Sequence, residues 1–133
     1  MKRLIRKRVF ESNSSSSHSI SMSSEDKQFI LDTIYPDQFG RVYVYGGEYG
    51  WEWERYNDAV TKLSYAYQDH VPTDLLERVV KSQTGATEVI FDEKSFADGY
   101  IGHESYATAA SICKDEESTK NFIFNKNSWL FTG

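Results

Sequence analysis

Apolar residues in this chain change their spacing several times, from every second residue to every third or fourth. Alternation indicates a strand, and spacings of three and four indicate one face of a helix. Residues 42–45 are typical of a strand. The helical spacing is clear in Leu75, Leu76, Val79 and Val80. Because strand-like and helix-like segments follow no regular βαβ order, the sequence predicts an α+β fold with a small mixed or mostly antiparallel sheet and helices packed on one face.

The same patterns predict the individual elements. We expect strands at residues 3–10, 20–22, 42–45, 89–91, 122–124 and 129–131, the last two forming a closing hairpin. We expect helices at residues 25–35, 53–67, 74–84 and 106–113. The core-facing residues of the first helix would be Phe29, Ile30 and Ile34. One face of the second would carry Trp53, Tyr56, Val60, Leu63 and Tyr67. Gly85 is expected to cap the third helix at its C-terminus.

The chain is about one domain long, with 133 residues. Apolar residues make up 39% of it and aromatic residues 15%. Disordered chains are poor in aromatic residues, so we expect residues 1–133 to fold as a single domain. The aromatic content also fits a protein that presents an adhesive face to a partner.

Charge is distributed unevenly along the chain. The first eight residues carry five of the 15 cations and no anion, whereas the formal net charge is −5. The remaining 125 residues therefore hold ten cations against 20 anions. Because phosphate contacts dominate nucleic-acid affinity, an acidic body repels nucleic acids. We therefore do not expect a nucleic-acid partner. The basic start is explained either by a local phosphate contact or by protection of an edge strand against unwanted pairing.

Cysteine and histidine usage limits the chemistry further. The one cysteine, Cys113, cannot form an intrachain disulfide, which favours a reducing compartment. The basic start is not followed by the apolar stretch of a signal peptide, and no run approaches the ~20 apolar residues of a membrane span. We therefore expect a cytoplasmic protein with no membrane contact. The histidines His18, His70 and His103 lack metal-site spacing, so neither a metal nor a cofactor is expected. A homo-oligomer is left open.

The most unusual segment is a run of serines that ends at a histidine. Hydroxyls and free backbone amides can cradle a phosphate or another small anion. A serine beside a histidine could also be an activated nucleophile, and a serine run can be a plain loop. These alternatives stay open. The candidate contact residues for a ligand or a partner are Asn13, Ser14, Ser15, Ser16, Ser17, His18 and Ser19.

Two further stretches carry polar or flexible residues. Residues 46–50 (GGEYG) lie where phosphate loops occur, but Glu48 would repel a phosphate, so a tight structural turn is expected. His103 and Glu104 form a neighbouring acid–base pair. The alternative is that Glu104 occupies the first turn of the helix that follows. His103 and Glu104 are therefore added to the candidate contact residues.

Alternating aromatic residues follow the glycine pair. Tyr49, Trp51 and Trp53 stand within a segment rich in glycine and glutamate. An exposed aromatic cluster rimmed by carboxylates is a suitable partner surface, whereas buried rings would merely cap the core. We therefore take these three residues as partner-surface candidates.

One resemblance to a known group rests on three stretches. Residues 8–19 read RVFESNSSSSHS, which resembles a recurrent opening, F-E-[ST]-N-S-S-S-S-H-S, of small uncharacterised proteins encoded by tailed bacteriophages. Residues 99–105 (GYIGHES) and 122–128 (FIFNKNS) are similar to the same group. Gly102 stands where that group carries an acid, which weakens a catalytic role for the His103 motif. The resemblance implies phage origin and expression inside a bacterium, and it implies no particular activity.

Two functional hypotheses follow. The first is a non-enzymatic accessory protein that binds a host or defence component. The second is a small enzyme or a nucleotide- or anion-binding protein, in which the serine run and the His103 motif form one polar pocket. The sequence gives no complete catalytic motif that would decide between them.

Overall fold

The computed structural model describes residues 18–23, 29–50, 52–102 and 109–132. The helices within these ranges are α1 (Ala59–Gln68), α2 (Thr73–Thr84), α3 (Glu93–Asp98), α4 (Ala109–Ile112) and α5 (Glu116–Phe124). The strands are β1 (Ser19–Ser21), β2 (Arg41–Tyr45), β3 (Glu48–Tyr49), β4 (Glu54–Tyr56), β5 (Glu88–Asp92), β6 (Tyr100–Ile101) and β7 (Trp129–Thr132). The predicted α+β class is confirmed. The strand predicted at residues 3–10 and most of the loop predicted at 11–19 lie outside the described residues.

The described strands are distributed over three small sheets. Strand β7 lies between β1 and β4 and pairs antiparallel with both. Strand β2 pairs parallel with β5, and β3 pairs parallel with β6. Leu130, at the centre of β7, stands opposite Ile20 on one side and Tyr56 on the other. Parallel and antiparallel pairs are therefore both present, but in separate sheets rather than in one.

The core lies between the β2–β5 sheet and the helices. Helix α1 contacts β2 and helix α2 contacts β5, while α5 packs against both helices. Val42 and Val44 of β2 point into this core. The four apolar residues predicted for the face of α2 are all buried, and Gly85 caps that helix with a φ of 76°. The residues of α5 that close the core are Thr119, Phe122, Ile123 and Phe124.

The helix predicted at residues 25–35 is wrong for the part that is described. Residues 29–37 contain no helix, and Phe29 and Ile30 are exposed rather than core-facing. The main-chain amides of this segment instead donate to residues far away in the chain, at the end of α5. The Asp32 amide donates to the Phe124 carbonyl at 2.8 Å, and the Ile30 amide donates to Oδ1 of Asn125 at 3.1 Å. The segment thereby satisfies polar groups at the end of α5 instead of forming its own helical turns.

The helix predicted from Trp53 begins later, at Ala59. Asp58 caps it, because its Oδ2 accepts from the Thr61 amide at 2.9 Å. Upstream, Tyr56 belongs to β4 and Trp53 has a φ of 59°, which is incompatible with a right-handed helix.

The hairpin predicted at the end of the chain is half correct. Strand β7 is present, but residues 122–124 are the last turn of α5 and not a strand. Asp115 and Ser118 begin this helix with reciprocal capping bonds. Because all three residues of the apolar run are buried, the run shows no periodicity that could separate a strand from a helix.

Candidate functional site

The structure describes part of the candidate site. His18 and Ser19 are described, and Ser19 opens β1 with an exposed side chain. Of the aromatic candidates, Tyr49 and Trp53 are described. The candidates that lie outside the described residues are Asn13, Ser14, Ser15, Ser16, Ser17, Trp51, His103 and Glu104.

His18 is buried, with 1% of its surface exposed. Its Nε2 lies 2.8 Å from the Gly50 carbonyl oxygen, and its Nδ1 lies 2.9 Å from the Tyr65 hydroxyl. A carbonyl oxygen only accepts, so Nε2 carries a proton and donates. In the neutral imidazole Nδ1 then accepts from Tyr65. His18 therefore ties the start of β1 to α1 and to the loop at Gly50.

Tyr49 packs beside this histidine pair. Its ring meets the Tyr65 ring edge-on, with the centroids 5.1 Å apart, and its hydroxyl donates to Ser64 Oγ at 2.9 Å. Burial raises the pKa of Tyr49 above its ordinary value, and the carboxylates of Asp58 and Glu52 raise it further. The phenol is therefore held neutral and remains a hydrogen-bond donor.

Described residues at the edges of the two predicted polar motifs bond to Tyr49 and Gly50. The Gly102 amide donates to the Tyr49 carbonyl at 2.7 Å, which fixes the end of β6. Residue 103 follows Gly102 in the chain, and residues 14–17 directly precede His18. Gly102 and His18 therefore bond to two consecutive residues, Tyr49 at the end of β3 and Gly50 directly after it.

The glycine-rich segment packs around a buried glutamine, Gln68. Its Oε1 accepts from the Gly47 amide and its Nε2 donates to the Phe96 carbonyl, both at 3.1 Å. A Cβ added to Gly46 or Gly99 would lie 2.3 or 2.4 Å from Oε1. These glycines serve the close approach of two chain segments. The tight turn expected at residues 46–50 is wrong, because Glu48 and Tyr49 within it form β3.

Removing the Tyr65 hydroxyl tests the hydrogen bond between Tyr65 and His18. We expect Tyr65→Phe to lower the free energy of unfolding by about 1 kcal/mol, because a buried hydrogen bond is lost while the ring remains. The ¹⁵N chemical shifts of the His18 ring should change in the same variant. Tyr67→Phe removes a hydroxyl that donates to the Asp92 carbonyl at 3.2 Å and should leave the His18 shifts unchanged. Unchanged His18 shifts in Tyr65→Phe would contradict the assignment.

The aromatic candidates differ in exposure. Tyr49 is half-buried, whereas Trp53 is 64% exposed and meets the Phe131 ring edge-on at 6.3 Å. The sequence reasoning missed a second exposed group, on β2. Tyr43 and Tyr45 are 43% and 55% exposed, and Phe39, just before the strand, is 64% exposed. We call Phe39, Tyr43 and Tyr45 the aromatic face of β2.

A buried lysine was also missed. The Lys62 side chain is fully buried, and its Nζ donates to the carbonyl oxygens of Asn125 and Ser128 at 2.8 and 2.7 Å. Burial lowers the pKa of Lys62 to about 8, and the carboxylates of Asp32 and Asp58 oppose that shift. The signal was available in the spacing, because Lys62 falls on the same helical stripe as the buried Ala59, Leu63 and Ala66.

Asn125 and Ser128 continue the polar contacts around Lys62. Ser128 Oγ accepts from the Ser23 amide at 2.8 Å and contacts Asn121 Oδ1 at 3.1 Å. Both residues belong to the FIFNKNS stretch that carries part of the family resemblance. This polar centre is internal, so we assign it to holding α1, α5 and the segment before β2 together rather than to ligand binding.

The described ranges contain no cluster of three or more His, Cys, Asp or Glu side chains placed to hold a metal ion. None of the described helices has the length and apolar character needed to cross a membrane. Comparison of the chain with protein-family models, with curated proteins and with solved structures finds no significant match.

Proposed function

We propose that this chain is an accessory protein encoded by a tailed bacteriophage. In the cytoplasm of the infected bacterium it binds a host or defence protein as a non-enzymatic interaction or inhibitor module. The observation that carries the proposal is the aromatic face of β2, an exposed row of rings on a strand whose opposite face is buried in the core. The resemblance of residues 8–19 supports the phage origin.

The geometry of this face suits partner binding. Val42 and Val44 anchor the strand in the core, so Tyr43 and Tyr45 are presented from a fixed backbone. Tyrosine rings supply large contact area at low conformational-entropy cost and are enriched among the residues that dominate interface energies. The guanidinium of Arg41 lies 5.2 Å from the Phe39 ring centroid and bonds to Glu88 at 3.1 Å. A charged pair therefore borders the rings, as in the polar rim of known interfaces.

The experiment is a quantitative capture of proteins from bacterial lysate. We expect the tagged wild-type chain to retain a stoichiometric protein partner, and we expect Tyr43→Ser/Tyr45→Ser to retain at least tenfold less. Tyr100→Ser, which also removes an exposed tyrosine, is the matched control and should capture as much as the wild type. Absence of a stoichiometric partner, or equal capture by the double variant, would reject the proposal.

A second candidate function is an anion- or nucleotide-binding pocket. It is favoured by two bonds of described residues at the edges of these motifs, from His18 to the Gly50 carbonyl and from the Gly102 amide to the Tyr49 carbonyl. The same capture, read by mass spectrometry for retained phosphate or nucleotide, addresses it. Ser15→Ala/Ser16→Ala is the appropriate variant, because it leaves the buried His18 in place. A retained anion that this variant loses would favour the pocket over the interaction module.

A further inference from the structure

Strand β2 uses alternate residues to pair with β5. The Gly40 carbonyl oxygen accepts from the Glu88 amide at 3.3 Å, and the register continues from there along both strands. In a parallel pair every second residue directs both its N–H and its C=O at the neighbouring strand. The main chain of Val42 and Val44 therefore faces β5.

The remaining residues of β2 direct their main chain to the other edge. At Arg41 that edge is covered, because its carbonyl accepts from the Asp37 amide and its amide donates to Asp37 Oδ1, both at 2.9 Å. Among the described residues, none bonds to the main-chain N–H or C=O of Tyr43 or Tyr45. A stretch of strand edge that no described residue pairs with thus begins just beyond the turn at Asp37.

A groove runs beside this edge, between β2 and α1. Its apolar lining includes Val44 and Leu63 from the core, Ile34, and the exposed Val60 of α1. Its volume is about 230 Å³. Small-molecule sites enclose roughly 300–1,000 Å³, so this groove suits an apolar side chain better than a whole ligand.

The groove is bordered by carboxylates. Asp58 caps α1 beside the groove residue Thr61, and Asp32 accepts from the Ala59 amide at 2.7 Å. The negative charges of Glu52 and Asp58 both contribute to the raised pKa of Tyr49, which also lines the groove. Among the described residues, the groove lining contains no lysine or arginine. Two cations lie nearby, Lys62 close to Asp32 and Asp58, and Arg41 beside Tyr43 and paired with Glu88, so the carboxylates at this edge outnumber the cations. The field at this edge therefore favours a positively charged partner.

We propose, resting on the function proposed above, that the edge of β2 at Tyr43 and Tyr45 binds one extended, basic segment of the partner protein. That segment pairs with β2 as an added strand, inserts one apolar side chain into the groove against Val44 and Leu63, and places Lys or Arg near Asp58. Main-chain hydrogen bonds supply affinity in this mode, and the pocket for a side chain supplies specificity.

The test uses peptides selected from a random library of twelve-residue sequences on the immobilised full-length chain. We expect the selected peptides to alternate apolar residues and to be enriched in Lys and Arg. The tightest peptide is then titrated by fluorescence polarisation. Tyr43→Pro removes the outward N–H, and Tyr43→Thr removes the ring but keeps that N–H. We expect Tyr43→Pro to weaken binding at least tenfold relative to Tyr43→Thr.

A second measurement keeps the protein unchanged. Two N-methylated versions of the peptide are compared, one methylated at the odd-numbered residues and one at the even-numbered residues. One version should lose binding and the other should keep it, because only every second N–H of an added strand faces β2. Equal effects of both methylation patterns, equal affinities of the two Tyr43 variants, or failure to select any peptide would overturn the proposal. Two results would assign the edge to this chain itself and also overturn the proposal. One is tighter binding of a synthetic peptide of residues 2–10 than of the selected peptide. The other is the finding that the selected peptide displaces a second copy of the chain.

The two proposals fail separately. If Tyr43→Ser/Tyr45→Ser loses the captured partner while Tyr43→Pro and Tyr43→Thr retain it equally, the interaction module stands and strand addition is wrong. If basic peptides pair with the edge but no stoichiometric partner is captured from lysate, the edge binds as described and the proposed function is wrong.

Discussion

Replacing Lys62 by Met should destabilise the protein by about 1–3 kcal/mol at pH 7. The Lys62 ammonium is the donor for two buried carbonyl oxygens, those of Asn125 and Ser128. Met fills a similar volume but donates nothing, so both acceptors lose a partner. Chemical denaturation followed by circular dichroism measures the loss. Lys126→Met removes an equal charge from an exposed side chain and should change stability by less than about 0.5 kcal/mol.

The loss caused by Lys62→Met should also grow with pH. Burial lowers the pKa of Lys62 in the folded protein to about 8, against an ordinary value of 10.5. Between these values the unfolded chain binds more protons than the folded one, so a rise in pH favours the fold. The neutral amine still has two N–H groups for its two acceptors.

The pH effect is measured as a difference between two proteins. The stability of the wild type minus that of Lys62→Met should rise by about 3 kcal/mol between pH 8 and pH 10.5. Other groups titrate in both proteins and cancel in this difference. A difference that stays constant across the window would show that the buried amine keeps an ordinary pKa.

Gly99→Ala should lower the free energy of unfolding by about 1–3 kcal/mol, as overpacking of a filled interior does. The new Cβ would lie 2.4 Å from Gln68 Oε1 and 2.5 Å from the Gly47 carbonyl oxygen. The carbonyl cannot move away without breaking its 3.0 Å bond from the Tyr100 amide, which joins β3 to β6. We therefore expect the melting temperature to fall by roughly 5–15 °C.

The matched control for Gly99→Ala is Gly50→Ala. A Cβ at Gly50 would meet no atom of the described residues closer than 3.7 Å, so stability should change by less than about 0.5 kcal/mol. Gly99→Ala should also speed amide exchange at Gly102, whose bond to Tyr49 belongs to the same strand pair. Equal melting temperatures of the two variants would contradict the packing described around Gln68.

Local patterns were sufficient where a segment packs with one face. Helix α2 has its apolar residues at helical spacing and a glycine in the left-handed conformation at its end, and both were readable from sequence. Strand β2 shows clear alternation, with Val42 and Val44 inward and Tyr43 outward. The sequence could not show that the outward face of β2 is left uncovered by the described residues, because the elements that could pack on it are far away in the chain.

The remaining errors arise from long-range contacts. Trp53, Tyr56 and Val60 have helical spacing, yet Tyr56 is drawn into β4 opposite Leu130, 74 residues later. In the candidate site, the serine run identified His18 as a candidate, but the Tyr65 hydroxyl that bonds to His18 is 47 residues away in the chain. Which atoms His18 bonds to was therefore outside the reach of any local pattern.

The position of β7 between β1 and β4 constrains the order of events during synthesis. More than a hundred residues separate β1 from the strand that completes its hydrogen bonds. At roughly 5–20 residues per second, β1 waits several seconds on the ribosome without that partner. Ile20 and Met22, which pack on the finished core, stay exposed for that time. The three-stranded sheet is therefore the last part of the described fold that can close, and until then β1 is the described segment most open to chaperones and proteases.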